Sequence, residues 1–131
     1  MRIMIYYDSI DHAKNIIPVV KRHAQSFHAI IDIVGFIHVT GQPHLDDINI
    51  KKKEVEFQYI KGMLEKDGIP CVTHILISSH DEKVDVGRFI MENVIDEIIL
   101  CTDKSLTLME PIPGSLEDQV ISHARCPVVF V

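Results

Sequence analysis

The sequence is poor in several residue types, and each scarcity limits what the chain can be. Among its 131 residues there is no tryptophan, and there are only three cysteines, Cys71, Cys101 and Cys126. Because the cysteines are widely spaced and form no C-x-x-C pair, they indicate neither a disulfide framework nor a zinc site. The first apolar segment is too short for a secretory signal, and no run approaches the roughly 18 apolar residues of a membrane span. We therefore expect a cytoplasmic protein without a membrane partner.

Positive charge is also scarce. The chain has 13 Lys and Arg residues against 19 Asp and Glu residues, which gives a net charge of -6. Recognition of a nucleic-acid backbone needs Lys and Arg clustered on one face. The only basic run, KKK at 51–53, is followed by EVE and is typical of a solvated helix face. The composition therefore disfavours a nucleic-acid partner.

Short apolar runs alternate with longer amphipathic stretches, and this alternation predicts a parallel sheet flanked by helices. Strands are predicted at 2–7, 29–39, 71–77, 96–101 and 127–131. Helices are predicted at about 11–27, 46–67, 83–94 and 115–124. Since the chain is 47% apolar, it can bury a single core, and we predict one domain over 1–131. Right-handed crossovers make it a doubly wound α/β sheet with helices on both faces.

The helix boundaries carry recognisable signals. Ser9 or Asp11 can cap the first helix, whereas Pro18 should kink that helix or delay its start. The third helix is expected to bury Val86, Phe89, Ile90 and Val94, and the second to bury Val55, Tyr59, Ile60, Met63 and Leu64. Ser115, followed three residues later by Asp118, is typical of a capping box that opens the fourth helix.

The sequence contains no recognisable catalytic arrangement. No Ser-His-Asp order, no glycosidase-like pair of carboxylates and no Walker-type G-x-x-x-x-G-K-[ST] motif is found, so we predict that the chain is not an enzyme. The eight histidines form no metal-binding pattern. A reactive thiol at Cys101 is an alternative, although a buried and inert cysteine is favoured there because no adjacent basic residue precedes Lys104.

Three segments carry a family resemblance that covers essentially the whole chain. The ending GSLEDQVISHARCPVVFV, the strand and acid in IMIYYD, and FIHV at the end of the second strand resemble the universal stress protein family. The resemblance implies a five-stranded parallel sheet of order 3-2-1-4-5. It also implies a homodimer assembled through the last strand, and the apolar edge residues Val128, Val129, Phe130 and Val131 are in keeping with that, because such a strand would be unprotected in a monomer.

The resemblance also implies a candidate adenine-nucleotide site. Members that bind ATP resemble one another in a G-x-x-G-x₉-G-[S/T] motif after the fourth strand, and Gly114 and Ser115 match its end. Counting back places Lys104 and Cys101 at the other two glycine positions. Because glycine permits positive φ and close approach of backbone N–H groups to phosphate, these replacements weaken the loop. By the same resemblance, Asp8 and Val39 match positions near the base or ribose.

Each of these residues also has a structural interpretation without a ligand. Gly114 and Ser115 fit a helix cap, Asp8 can cap the first helix, Val39 can be core or pocket wall, and Lys104 can be a solvated loop lysine. Two functional hypotheses therefore remain open. The favoured one is a dimeric regulatory protein with a degenerate nucleotide site, which acts through protein partners that the sequence does not identify. The alternative is a protein that still binds ATP, AMP or another adenine nucleotide, with slow or no hydrolysis.

Overall fold

A computed structural model describes residues 1–78, 81–101 and 113–131. Within these ranges the elements are β1 (Arg2–Tyr6), α1 (Ile10–Phe27), β2 (Ile30–Ile37), α2 (Pro43–Glu65), β3 (Cys71–Ile77), α3 (Glu82–Glu92), β4 (Glu97–Leu100), α4 (Leu116–His123) and β5 (Val128–Phe130). The strands form one sheet of order β3-β2-β1-β4-β5, and every neighbouring pair is parallel. The predicted fold and strand order are confirmed.

Two apolar cores lie on opposite faces of the sheet. On one face, α1 and α2 cover alternate residues of the central strands, with Ile16, Phe57 and Ile60 packed on Ile5 and Ile33. The other core lies under α3 and α4 and is built from Met4, Val34, Phe36, Val86, Phe89, Ile90, Ile98, Leu100 and Val120. Because side chains alternate along a strand, the nearly continuous apolar runs of the sequence supply both cores.

Pro18 does not delay the start of the first helix, so that part of the expectation is wrong. The helix begins at Ile10 and passes through Pro18, and Ser9 is its N-cap. Pro18 cannot donate to the carbonyl of Lys14, but both residues are exposed, so water can satisfy that carbonyl. The proline therefore removes one hydrogen bond without forcing the chain out of the helix.

The inner faces of α2 and α3 differ in part from the prediction. Val55 and Tyr59 are 70% and 51% exposed, whereas Phe57 is fully buried against the sheet. Phe57 packs over Gly35 of β2, where a Cβ atom would come within 2.6 Å of the phenyl ring. Val94 lies beyond the end of α3 and is exposed. Tertiary fit at Gly35 thus selects one of two apolar stripes on α2.

Candidate functional site

The carboxyl ends of β1 and β2 lie between two clefts. The first cleft, of about 480 Å³, is enclosed by the ends of these strands, the start of α1 and one side of α2; its lining includes Tyr7, Asp8, Ser9, Phe36, Ile37, His38, Asn49, Lys53 and Glu56. The second cleft, of about 540 Å³, lies on the α3 and α4 side and is lined by Tyr6, Asp8, His38, Asp81, Glu82, Lys83 and Leu116. Asp8 and His38 line both clefts and therefore mark their junction.

Asp8 is not the cap of α1. The Ser9 Oγ accepts the hydrogen bond from the His12 N–H at 3.2 Å, which satisfies one donor of the first turn. The Asp8 carboxylate instead lies 2.7 Å from His12 Nδ1, four residues along the chain. Since Asp8 also lines both clefts, its carboxylate is placed where a ligand could reach it.

A chain of side-chain contacts crosses the second cleft. The Tyr6 hydroxyl donates to Glu82 Oε1, and Glu82 Oε2 lies 3.1 Å from His38 Nε2. These residues come from the end of β1, the first turn of α3 and the end of β2. Burial, followed by the contact with Glu82, raises the pKa of Tyr6, so the hydroxyl keeps its proton and acts as the donor. Sequence reasoning did not identify this chain, because its members are up to 76 residues apart.

Tyr7 forms the inner wall of the first cleft. Its side chain is 2% exposed, its ring meets Phe57 edge-on at 4.9 Å, and the Lys53 ammonium lies 5.2 Å from its ring centroid. By distance and angle the Tyr7 hydroxyl forms no hydrogen bond with another described residue, although the Glu56 carboxylate lies close enough to interact with it. Burial, and then the neighbouring Glu56 carboxylate, raise the pKa of Tyr7. The first cleft therefore offers an aromatic and apolar wall with a single buried hydroxyl.

The start of α4 is closed by its own side chains. Gly114 has φ +80°, which only glycine adopts cheaply, and Ser115 is the N-cap. The Ser115 Oγ accepts from the Asp118 N–H at 3.1 Å, while the Asp118 Oδ2 accepts from the Gly114 N–H at 2.9 Å. The serine half of the predicted capping box is thus present, whereas the acid accepts from the Gly114 N–H and not from the N-cap residue itself. Asp118 therefore occupies the Gly114 N–H and places a negative charge at the start of α4.

Of Cys101 and Lys104, the other two positions matched to the glycine motif, only Cys101 lies within the described residues. Cys101 follows β4 and packs, partly buried, against the core beneath α1 and α2. Because His28 is the only non-glycine residue with positive φ in the described ranges, Cys101 does not adopt the conformation that a glycine would permit. Lys104 lies outside the described residues. None of the three cysteines forms a disulfide.

Val39 and the C-terminal strand are the remaining positions that the sequence analysis assigned to a site or an interface. Val39 is 52% exposed and lines neither cleft, so the expectation that it is a core residue is wrong; His38, the residue before it, lines both clefts. β5 is the last strand in the sheet order, and its three residues are partly buried, while Val131 is 36% exposed. One long side of β5 is therefore an open strand edge in the described chain.

Neither a metal-binding cluster nor a membrane-spanning helix occurs among the described residues. Across residues 1–78, 81–101 and 113–131, no group of three or more His, Cys, Asp and Glu side chains is arranged to hold a metal ion. None of the helices in these ranges combines the length and apolar character needed to cross a bilayer.

The strand order and the clefts at the carboxyl ends define a class of open-sheet α/β domain, in which ligands bind where the winding of the sheet reverses. That reversal lies between β1 and β4, next to Asp8.

Among solved structures, this chain resembles universal stress proteins. The match to UspA from Lactobacillus plantarum has a TM-score of 0.78 at 17% identity and covers 100% of this chain and 97% of that one. The match to the Archaeoglobus fulgidus universal stress protein in complex with dAMP has a TM-score of 0.73 at 19% identity, over 99% and 96%. An Arabidopsis thaliana family protein with AMP bound gives 0.65 at 15%, over 100% and 90%.

At these identities the likeness establishes the fold, which is that of the universal stress proteins. No protein-family model matches the sequence, and no curated protein matches it.

Proposed function

We propose that this chain is a regulatory protein of the universal stress protein kind, which binds an adenine nucleotide by its base and sugar and holds the phosphate chain only weakly. The proposal depends on a contrast between the junction of the two clefts and the start of α4. The junction at Asp8 and His38 remains open and polar, whereas the start of α4 is occupied by Asp118. Solved structures of the same fold with dAMP and AMP support the ligand class.

The first cleft suits a heteroaromatic base. Ile37 and the Tyr7 ring supply apolar contact area, and Asn49 supplies an amide that can donate and accept. Asp8 at the junction can accept hydrogen bonds from an amino group or a hydroxyl group. A base in this cleft and a sugar at the junction would direct the phosphate groups into the second cleft.

The phosphate end of the site is weak for an electrostatic reason. Helix N-termini attract anions through free N–H groups and the positive end of the helix dipole. In α4 the Gly114 N–H is bound by Asp118, and Glu117 adds a second carboxylate to the same turn. Both carboxylates repel a triphosphate, so extra phosphates should add little affinity. We propose no hydrolysis of the nucleotide, because no described residue is assigned to that reaction.

The nucleotide proposal is tested by calorimetric titration with AMP and ATP. We expect the two dissociation constants to agree within about threefold, with or without magnesium, because the phosphates contribute little. Ligand at a hundredfold its dissociation constant should also stabilise the protein by about 2.7 kcal/mol. Asp8→Ala should weaken both nucleotides, while Asp47→Asn, which alters an exposed carboxylate paired with Lys51, should not. Absence of binding by any adenine nucleotide would refute the proposal and favour a purely scaffolding role.

We also propose that the protein forms a homodimer through β5. The dimer would present a surface to protein partners. The Pro127 carbonyl accepts from the Ile98 N–H, and the Val131 N–H donates to the Leu100 carbonyl. Since hydrogen bonds of a parallel strand alternate between its two sides, the N–H groups of Val128 and Phe130 should face the open edge. These donors, together with the apolar side chains, are what a second copy of the strand would pair with.

The dimer is tested by light scattering coupled to gel filtration. We expect the wild type to be a dimer at micromolar concentration. Val128→Pro, which removes one outward donor but none of the bonds to β4, should shift it towards the monomer while the chain stays folded. A wild-type protein that is strictly monomeric would contradict this part of the proposal.

A further inference from the structure

The contact chain Tyr6, Glu82 and His38 determines which ring nitrogen of His38 is free. A carboxylate accepts hydrogen bonds and donates none, so Glu82 needs a proton from each of its two partners. Tyr6 supplies one through its hydroxyl. The 3.1 Å contact with Glu82 Oε2 therefore requires the proton of the neutral imidazole to be on His38 Nε2, and Nδ1 then carries a lone pair.

This lone pair belongs to a ring at the junction of the clefts. The His38 side chain is 59% exposed, and no hydrogen bond to its Nδ1 is formed within residues 1–78, 81–101 and 113–131. Asp8, the other residue shared by the two clefts, contributes carboxylate oxygens. The junction thus presents acceptors from two strands, and a ligand group that fills it must bring donors. Neighbouring hydroxyl groups of a sugar meet this requirement, whereas a phosphate does not.

We propose that Glu82, anchored by Tyr6, holds His38 in the Nε2–H tautomer so that His38 Nδ1 accepts a hydrogen bond from a ribose hydroxyl group. This inference rests on the proposed function, because it assumes a nucleotide with its base in the first cleft. His38 is then a specificity-determining residue, and Glu82 and Tyr6 position it. The site should favour ribonucleotides over analogues that lack the sugar hydroxyls.

The tautomer can be tested without any ligand by nitrogen-15 NMR of the His38 ring, at a pH above about 8, where imidazole is normally neutral. We expect the Nε2–H form in the wild type. In Glu82→Gln the side-chain carbonyl should accept from Tyr6, because the Tyr6 hydroxyl forms no other hydrogen bond within the described residues. The amide NH₂ then faces His38 Nε2, and the ring should change to the Nδ1–H form.

A second variant separates this effect from a general disturbance of α3. In Tyr6→Phe combined with Glu82→Gln, the amide is released to turn its carbonyl towards His38, so the Nε2–H form should return. Glu92→Gln, at the exposed end of the same helix, should leave the wild-type tautomer unchanged. A wild-type ring in the Nδ1–H form, or a Glu82→Gln ring that keeps the Nε2–H form, would overturn the inference.

The sugar contact is tested by calorimetric titration with AMP and with 2′,3′-dideoxy-AMP. Wild type should bind AMP about five- to tenfold more tightly, as expected when hydrogen bonds to the junction are lost. The ratio should change in Glu82→Gln, where His38 Nδ1 becomes a donor, and return to the wild-type value in the double variant. If AMP binds but the ratio is the same in all variants, the ribose assignment is wrong while the nucleotide proposal stands. If AMP does not bind at all, both the nucleotide proposal and the ribose assignment fail, and only the tautomer result remains.

Discussion

Asp118→Asn separates the charge of the α4 start from its hydrogen bonding. The asparagine oxygen can still accept from the Gly114 N–H, which lies 2.9 Å from the carboxylate in the wild type. A negative charge in the first turn of a helix is typically worth about 0.3–1 kcal/mol through the helix dipole. We therefore expect Asp118→Asn to lower the free energy of unfolding by about that amount.

The same charge should act on ATP with the opposite sign. Removing a repulsion of about 0.3–1 kcal/mol corresponds to a gain of roughly two- to fivefold in ATP affinity, whereas AMP, which lacks the two outer phosphates, should gain less. Asp118→Ala removes the acceptor as well, so it should free the Gly114 N–H at the cost of about 1 kcal/mol of capping. Urea denaturation and calorimetric titration measure the two effects. If ATP affinity is unchanged in both variants, Asp118 is not what weakens the phosphate end.

Further predictions concern the core and its response to pH. Gly35→Ala places a Cβ atom 2.6 Å from Phe57 and should cost about 1–3 kcal/mol in urea denaturation; a cost near zero would mean that the ring moves freely. Tyr7→Phe removes a buried hydroxyl that forms no hydrogen bond by distance and angle, so the free energy of unfolding should be unchanged or slightly higher. A clear loss would show that this hydroxyl bonds to Glu56. Burial raises the pKa of Cys71 to about 11 from 9.0, so the free energy of unfolding should fall as pH rises between those values. In Cys71→Ala the fall should be less steep. The same dependence on pH in both proteins would contradict the role given to Cys71.

The sheet could be predicted from sequence because its signal is repeated along the whole chain. Apolar strands alternate with amphipathic helices, and right-handed crossovers leave few ways to connect them. The inner face of α2 could not be predicted in full, since Val55 and Tyr59 form a second apolar stripe beside Phe57 and Ile60. Only the space above Gly35, on a strand distant in sequence, decides which stripe is buried.

The candidate site also has a part that the sequence predicted and a part that it did not. The capping of α4 by Ser115 and Asp118 is local, and the spacing of these residues indicated it. The second contact of Asp118, with the Gly114 N–H, follows from the same turn and was not anticipated. The link from Tyr6 through Glu82 to His38 joins three separate elements, so no spacing in the sequence could reveal it. One usable signal was position, because Tyr6 and His38 both lie at strand ends.

The most direct test of the proposed mode of binding is amide NMR during a titration with AMP. Binding by base and sugar predicts that the signals of Asp8, Ser9 and His38 shift together and saturably, while those of Gly114 and Ser115 move little. Saturable shifts at Gly114 and Ser115 that exceed those at Asp8 would show binding through the phosphate end and would contradict the proposal.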